Sequence, residues 1–204
     1  MKVIFLDNDG VICLANNWGS RVKKQNKVYS KSNPRPMYSS ELPVELRFDN
    51  FDEKAVKVLN NIIKQTDAEI VVSSDWRFHA TLDELGDYYE SKGIIKRPIG
   101  VTEKFHYRDW VEEGFIKPHG EFPWSRMEDL EQQRHFEIKR WLRDHPEVTH
   151  WVAIDDLFMG VRVENSSYGP FDREWGLENF VWTPRDWEGI KQSGIKDKVL
   201  KFLL

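Results

Sequence analysis

Cysteine is almost absent: Cys13 is alone in 204 residues, which excludes an internal disulfide. No run of about 18 or more apolar residues is present to span a bilayer. The opening MKVIFLDNDG enters a strand-and-turn pattern without the long apolar stretch of a signal peptide, so the expected location is cytoplasmic. Of the six histidines none forms a pair at metal-ligand spacing, so hydrogen-bonded structural roles are expected of them. Internal repeats and low-complexity tracts are missing too. The net charge of −4 gives no reason to expect a broadly basic nucleic-acid-binding surface. One local absence runs the other way. Asn16 to Ser40 contains no acidic residue but carries Arg21, Lys23, Lys24, Lys27, Lys31 and Arg35. The overall charge is thus a +6 segment set against a −10 remainder. Such a segment is either a solvated flexible loop or an electropositive flap that attracts an anionic substrate.

What is present is enough for a core: 40% of the residues are hydrophobic, and the length favours one domain over 1–204 with insertions. Val3 to Leu6, Ile70 to Val72 and Trp151 to Ile154 are short, β-branched, nearly uninterrupted apolar runs, as expected of parallel strands covered on both faces. Each stops at polar residues, and the ligand crevice of open α/β sheets lies at the carboxyl ends of strands. Val56, Leu59, Ile62 and Ile63 recur at helical spacing behind Asp52, a plausible cap. Ile138, Trp141 and Leu142 mark a second helix that His145-Pro146 terminates. The expected fold is therefore α/β, a Rossmann-like doubly wound parallel sheet. Two stretches, about 16–47 and 104–133, fit it poorly and are expected to be cap-like insertions. The second is rich in aromatics: Phe105, His106, Tyr107, Trp110, Phe115, Phe122 and Trp124. Nine Trp and twelve Phe suit either a core or a site that stacks planar groups.

Three polar clusters end the three strands. In Asp7-Asn8-Asp9-Gly10 the turn aims two carboxylates at one point, and Gly10 permits a tight backbone. An ordinary loop or a calcium site has the same appearance. Ser73-Ser74, followed by Asp75-Trp76-Arg77, offers hydroxyls and backbone N–H groups for a phosphoryl oxygen, with Arg77 as a bidentate donor; a helix cap at Ser74 or Asp75 reads equally well. Asp155-Asp156 pairs two acids that repel unless a cation compensates, which points to a hard-metal site or to a solvated acidic turn. Together the three gain force, because one topology brings these strand ends together.

With these motifs the chain resembles the haloacid dehalogenase superfamily: FLDNDGV matches its first motif, VVSSDWR its second and VAIDD its fourth. More narrowly it resembles the phosphatase branch in Swiss-Army-knife RNA-repair proteins, through FDNFDEKAVKVLNNIIKQTDAEIVVSSDWR, GIIKRPIGVT and RHFEIKRWLRDHPEVTHWVAIDD. It departs at the third motif, where the family normally supplies a lysine. Here the candidates are Arg134, in an R-x-x-E-I context, and Lys139.

The resemblance implies a magnesium-dependent phosphohydrolase, a phosphoric monoester hydrolase working through an aspartyl-phosphate. Asp7 is then the nucleophile and Asp9 the general acid and base. Mg2+ is held by Asp7, the Asp9 backbone carbonyl and Asp155 or Asp156. Phosphate is held by Gly10, Ser73, Ser74 and Arg134 or Lys139, and substrate by Arg77, Trp76, Lys23 and Lys24. Mutases share the acid at position 9. The expected substrate is a nucleotide or a nucleic-acid phosphate end, because single strands are bound by positive grooves with stacking aromatics. The alternatives are a small phosphorylated metabolite and a non-catalytic nucleic-acid binding module on the same fold.

Overall fold

Alternation along the strands sets the architecture. In the computed structural model, which describes residues 1–115, 130–160 and 175–204, β1 (Lys2–Leu6) sends Ile4 and Leu6 to one face of the sheet and Val3 and Phe5 to the other. The first face is covered by α3 (Glu53–Thr66) through Val56, Leu59, Ile62 and Ile63. It also takes Leu85, Tyr88 and Tyr89 of α4 (Leu82–Ser91), and Val199 and Leu203 of α7 (Ile195–Leu203). The second face meets Ile138, Trp141 and Leu142 of α6 (Leu130–Asp144). A satellite cluster of Phe105, Trp110 and Phe136 joins α5 (Tyr107–Glu112) to α6. Full burial of each such Leu, Ile or Phe contributes roughly 1.5–3 kcal/mol.

The strands β1, β2 (Glu69–Val72), β3 (Pro98–Val101), β4 (His150–Asp155) and β5 (Phe180–Trp182) form one parallel sheet in the order β3-β2-β1-β4-β5. The chain winds outward from β1 to β3 and then crosses to the opposite side of β1 for β4 and β5. The reversal lies between β1 and β4, where doubly wound sheets open a crevice at their carboxyl ends. The doubly wound α/β expectation therefore holds.

Local signals behave as the sequence implied. Asp52 caps α3, its Oδ1 accepting the amides of Lys54 and Ala55 at 2.9 Å each, a contact worth about 1 kcal/mol. α6 ends at Asp144, just before His145-Pro146. The basic segment differs from a flexible loop, because it contains the nine-residue helix α1 (Ser20–Val28) and leads into α2 (Val44–Arg47). α1 has no side-chain cap of its own; Asp49 receives the Arg21 amide at 2.6 Å and the Ser20 hydroxyl at 3.1 Å. Gln25 donates to the Leu46 carbonyl at 2.6 Å, and Arg47 clamps Glu84 through two 2.8 Å bonds. Val22 and Val28 are exposed, so α1 has no apolar stripe that periodicity would reveal. In the aromatic insertion Phe105 and Trp110 are core residues, whereas Phe122 and Trp124 lie outside the described residues. Among the described residues no helix is long and apolar enough to cross a membrane.

Candidate active site

The turn after β1 is tied tightly. The Asn8 carbonyl accepts the amides of Val11, Ile12 and Cys13, and the Asn8 side-chain oxygen accepts the Tyr89 hydroxyl at 2.6 Å. Gly10 has φ +68°, and a Cβ there would run into the Asp156 carboxylate. Glycine at position 10 thus allows the β1 turn to approach the β4 turn. Asp155 accepts the Leu157 amide at 2.8 Å, and the Trp182 indole N–H holds the Asp156 carbonyl at 2.8 Å. As a result Asp7, Asp155 and Asp156 each offer a carboxylate oxygen within 4.8 Å of the other two. Hard oxygen donors so placed are compatible with a divalent cation.

Arg134 enters this cluster from α6. Its Nη1 lies 3.1 Å from Asp7 Oδ1 and 2.9 Å from Asp155 Oδ2, and its Nη2 lies 3.2 Å from Asp75 Oδ1. Burial opposes its charge, but Asp155 and Asp7 outweigh that and hold its pKa above the ordinary arginine value. Lys139 is elsewhere, paired at 2.9 Å with the exposed Glu178. Of the two cations that the sequence left open, only Arg134 touches the acidic cluster.

Burial raises the Asp7 carboxyl well above its usual range; Arg134 counters this in part, and Asp155, Asp156 and Asp9 add to it. Burial likewise raises Asp155. Asp156 is pushed up to about 7 by burial and then by the charge of Asp155. A carboxyl whose folded pKa exceeds its unfolded value of 3.8 leaves the native state holding more protons than the unfolded one between those two pH values. Stability is then lost as pH rises through that window. Without metal, the melting temperature is expected to fall between about pH 5 and about pH 8 more steeply in the wild type than in Asp156→Asn, and a divalent cation should remove the difference. Identical pH slopes for the two proteins would show that the carboxyl of Asp156 is not strained.

Ser73 and Ser74 follow β2 with buried hydroxyls that have no hydrogen-bond partner among the described residues, while the Ser73 amide continues the ladder to the Leu6 carbonyl at 2.9 Å. A buried unpaired hydroxyl costs about 1–3 kcal/mol, a cost that an anionic ligand accepting from it would offset. Ser74 occupies the cap position of the short 3-10 helix Asp75–Phe78, but its side chain makes no cap bond.

Trp76 and Arg77, the two residues of the second strand-end cluster expected to contact substrate, are both held by protein side chains. Trp76 is buried, stacked on Phe48, and its indole N–H donates to Asp9 Oδ2 at 2.8 Å, so it has no free face for a base. Arg77 donates to the equally buried Glu137 at 2.6 Å, and Glu137 in turn accepts from Gln133 and from the Phe105 amide, so this arginine braces the wall behind Arg134. On α1, Lys23 is exposed, whereas Lys24 bonds the Phe48 carbonyl at 2.7 Å and is lowered to about 8 by burial and by Lys92. Sequence reasoning missed Asp49, Asp75, Tyr89, Glu137 and Trp182 as supports, since each acts through contacts between residues far apart in the chain.

A doubly wound sheet with an Asp-x-Asp turn after its first strand, facing an acidic pair at the end of its fourth, defines a domain of the haloacid dehalogenase class. Residues 3–178 match the family model for the HAD domain in Swiss Army Knife RNA repair proteins, and the chain belongs to that family. Comparison with curated proteins gives no match, and comparison with solved structures gives none either.

Proposed function

We propose that the protein is a phosphoric monoester hydrolase that works through an aspartyl-phosphate and depends on Mg2+. The observation that carries this reading is the position of the Asp7 carboxylate, inside the cluster of Asp155, Asp156 and Arg134 and two residues from an acid on the same turn. Three carboxylates and one guanidinium leave a charge of −2 before any phosphate arrives, so the donor set fits a divalent cation. Asp7, Asp155 and Asp156 would hold it, with the Asp9 backbone carbonyl. When bound, the metal supplies positive charge that lowers the repulsion between the nucleophile and the phosphoryl oxygens.

In this reading Asp7 attacks phosphorus, the bond from phosphorus to the leaving oxygen breaks, and that oxygen takes the proton of Asp9. The Asp9 carboxylate then takes a proton from water. The water oxygen attacks the phosphoryl group, the bond to Asp7 breaks, and inorganic phosphate leaves with Asp7 restored. Arg134 holds the phosphoryl oxygens, and the Ser73 and Ser74 hydroxyls donate to them. Hydrolysis of nitrophenyl phosphate, present with Mg2+ and abolished by a chelator, is the direct test. No turnover with any phosphate ester would leave a binding module.

For the substrate we infer a nucleotide or a nucleic-acid phosphate end, met in the reducing cytoplasm where a lone cysteine is unexceptional. Support comes from the family description, which names RNA repair proteins, and from α1, whose Lys23 and Lys27 are exposed beside Lys31 with no acid nearby in sequence. Replacing Lys23, Lys27 and Lys31 with Ser should raise the KM for an oligonucleotide phosphate roughly tenfold at low salt and leave that for a nitrophenyl ester unchanged, with the difference shrinking in high salt. An unchanged KM ratio would move the assignment to small metabolites.

A further inference from the structure

We infer that Trp76 is a positioning residue for Asp9, fixing which carboxylate oxygen handles the proton; this rests on the phosphatase reading above. The indole N–H donates to Asp9 Oδ2 at 2.8 Å. An indole N–H donates only and does not titrate near neutrality, so it cannot exchange a proton with Asp9. Oδ2 is therefore held as an acceptor, and Oδ1 is the oxygen left to carry the proton to the leaving group. The Cys13 thiol also hydrogen-bonds this carboxylate, but a thiol is a weaker donor than an indole N–H.

The indole itself is immobilised. Its ring is nearly parallel to Phe48, with centroids 4.4 Å apart and planes 6° apart, and to Phe51 at 5.2 Å and 13°. Tyr88 meets it edge-on at 5.8 Å, and the Tyr88 hydroxyl donates to the Asp49 carbonyl at 2.7 Å. Four aromatic side chains from three parts of the chain thus aim one N–H at one oxygen. A purely packing tryptophan needs no such aim, and phenylalanine would satisfy the stack.

Two replacements separate the hydrogen bond from the packing. Trp76→Phe keeps an aromatic ring, and benzothienylalanine in place of Trp76 keeps the bicyclic shape but has sulfur where the N–H was. In both, kcat/KM, which reports the phosphorylation step alone, is expected to fall by roughly 10–100-fold on an alkyl phosphate but by less than about threefold on nitrophenyl phosphate, since an activated leaving group needs little protonation. Asp9→Asn, run in parallel, should show the same selectivity with a larger loss. Equal losses of kcat/KM on both esters, or wild-type kinetics with benzothienylalanine, would overturn the role. The 15N-resolved Trp76 indole proton reports on the contact without catalysis. It should shift upfield in Asp9→Ala, and an unmoved resonance also overturns the proposal. A wild-type protein inactive on both esters would remove the phosphatase reading and the role with it, while a shifted resonance would show that the hydrogen bond itself exists.

Discussion

Asp7→Asn should abolish turnover, a loss of about 10⁴-fold or more and on the order of 5 kcal/mol of barrier height, without lowering stability. The amide is nearly the shape of the carboxylate, but its oxygen is a poor nucleophile toward phosphorus. The stability half of the expectation follows from the electrostatics. Burial disfavours the Asp7 charge, and Asp155, Asp156 and Asp9 disfavour it further, against the single favourable contact with Arg134. A neutral side chain removes one of four crowded negative charges, and Arg134 keeps its bonds to Asp155 and Asp75. In chelator at about pH 8 the variant should melt at or above the wild-type temperature, and added Mg2+ should raise its melting temperature less than it raises that of the wild type. Rapid-quench labelling with a radioactive phosphate ester checks the chemistry: the wild type should trap label on the protein and the variant should not. Substantial residual turnover would remove the covalent mechanism, and a large drop in melting temperature would show that Asp7 is structural as well.

The parts of this fold that sequence makes legible are those whose hydrophobic pattern has a single reading. β1, β2 and β4 are short uninterrupted apolar runs, and α3 and the second half of α6 carry apolar stripes of helical period. β3 is obscured by Pro98 and Gly100, both poor strand formers, and β5 is only three residues long. α4 buries Leu85, Tyr88 and Tyr89 at helical spacing, but tyrosine is ambiguous between core and surface. α7 is a plainer omission, because Ile195, Val199 and Leu203 recur every four residues.

The candidate site divides differently. Asp7 and Asp155 were legible because each follows an apolar run directly, with Asp9 and Asp156 on the same turns, and strand order alone carries them to the switch point between β1 and β4. The supporting residues were not. Whether Trp76 faces a ligand or Asp9 depends on Phe48, Phe51 and Tyr88, and whether Arg77 is free depends on Glu137, 60 residues away. Side-chain partners at such separations leave no periodic trace in a single sequence. Arg134 against Lys139 is the same case, since both lie on α6 and only the packing of that helix decides which one reaches the sheet.

Arg134→Met should be the most damaging substitution in the wall of the site, affecting stability and activity together. The guanidinium is the cation that bridges Asp7 and Asp155, and it is itself buried. Its removal leaves acids whose charge burial already opposes without that compensation, and stripping one partner from a buried ion pair costs about 3–5 kcal/mol. Because protonated carboxyls do not repel, the loss should be largest at about pH 8 in chelator and smallest at about pH 5. Added Mg2+ should recover part of the stability but little of the activity, since the contact proposed from Arg134 to the phosphoryl oxygens is still gone. Arg134→Lys discriminates charge from geometry: it restores one positive group without the planar fork that now reaches Asp7, Asp155 and Asp75. Stability should return to within about 1–2 kcal/mol of the wild type, while kcat stays about 10–100-fold low. Lys139→Met is the contrasting control, because its partner Glu178 is exposed and such pairs contribute about 0–1 kcal/mol. Thermal melts at the two pH values, with and without Mg2+, and kcat for the three variants decide the matter. A collapse of kcat in Lys139→Met with Arg134→Met unaffected would transfer the phosphate-binding role to the lysine and leave Arg134 as a structural clamp.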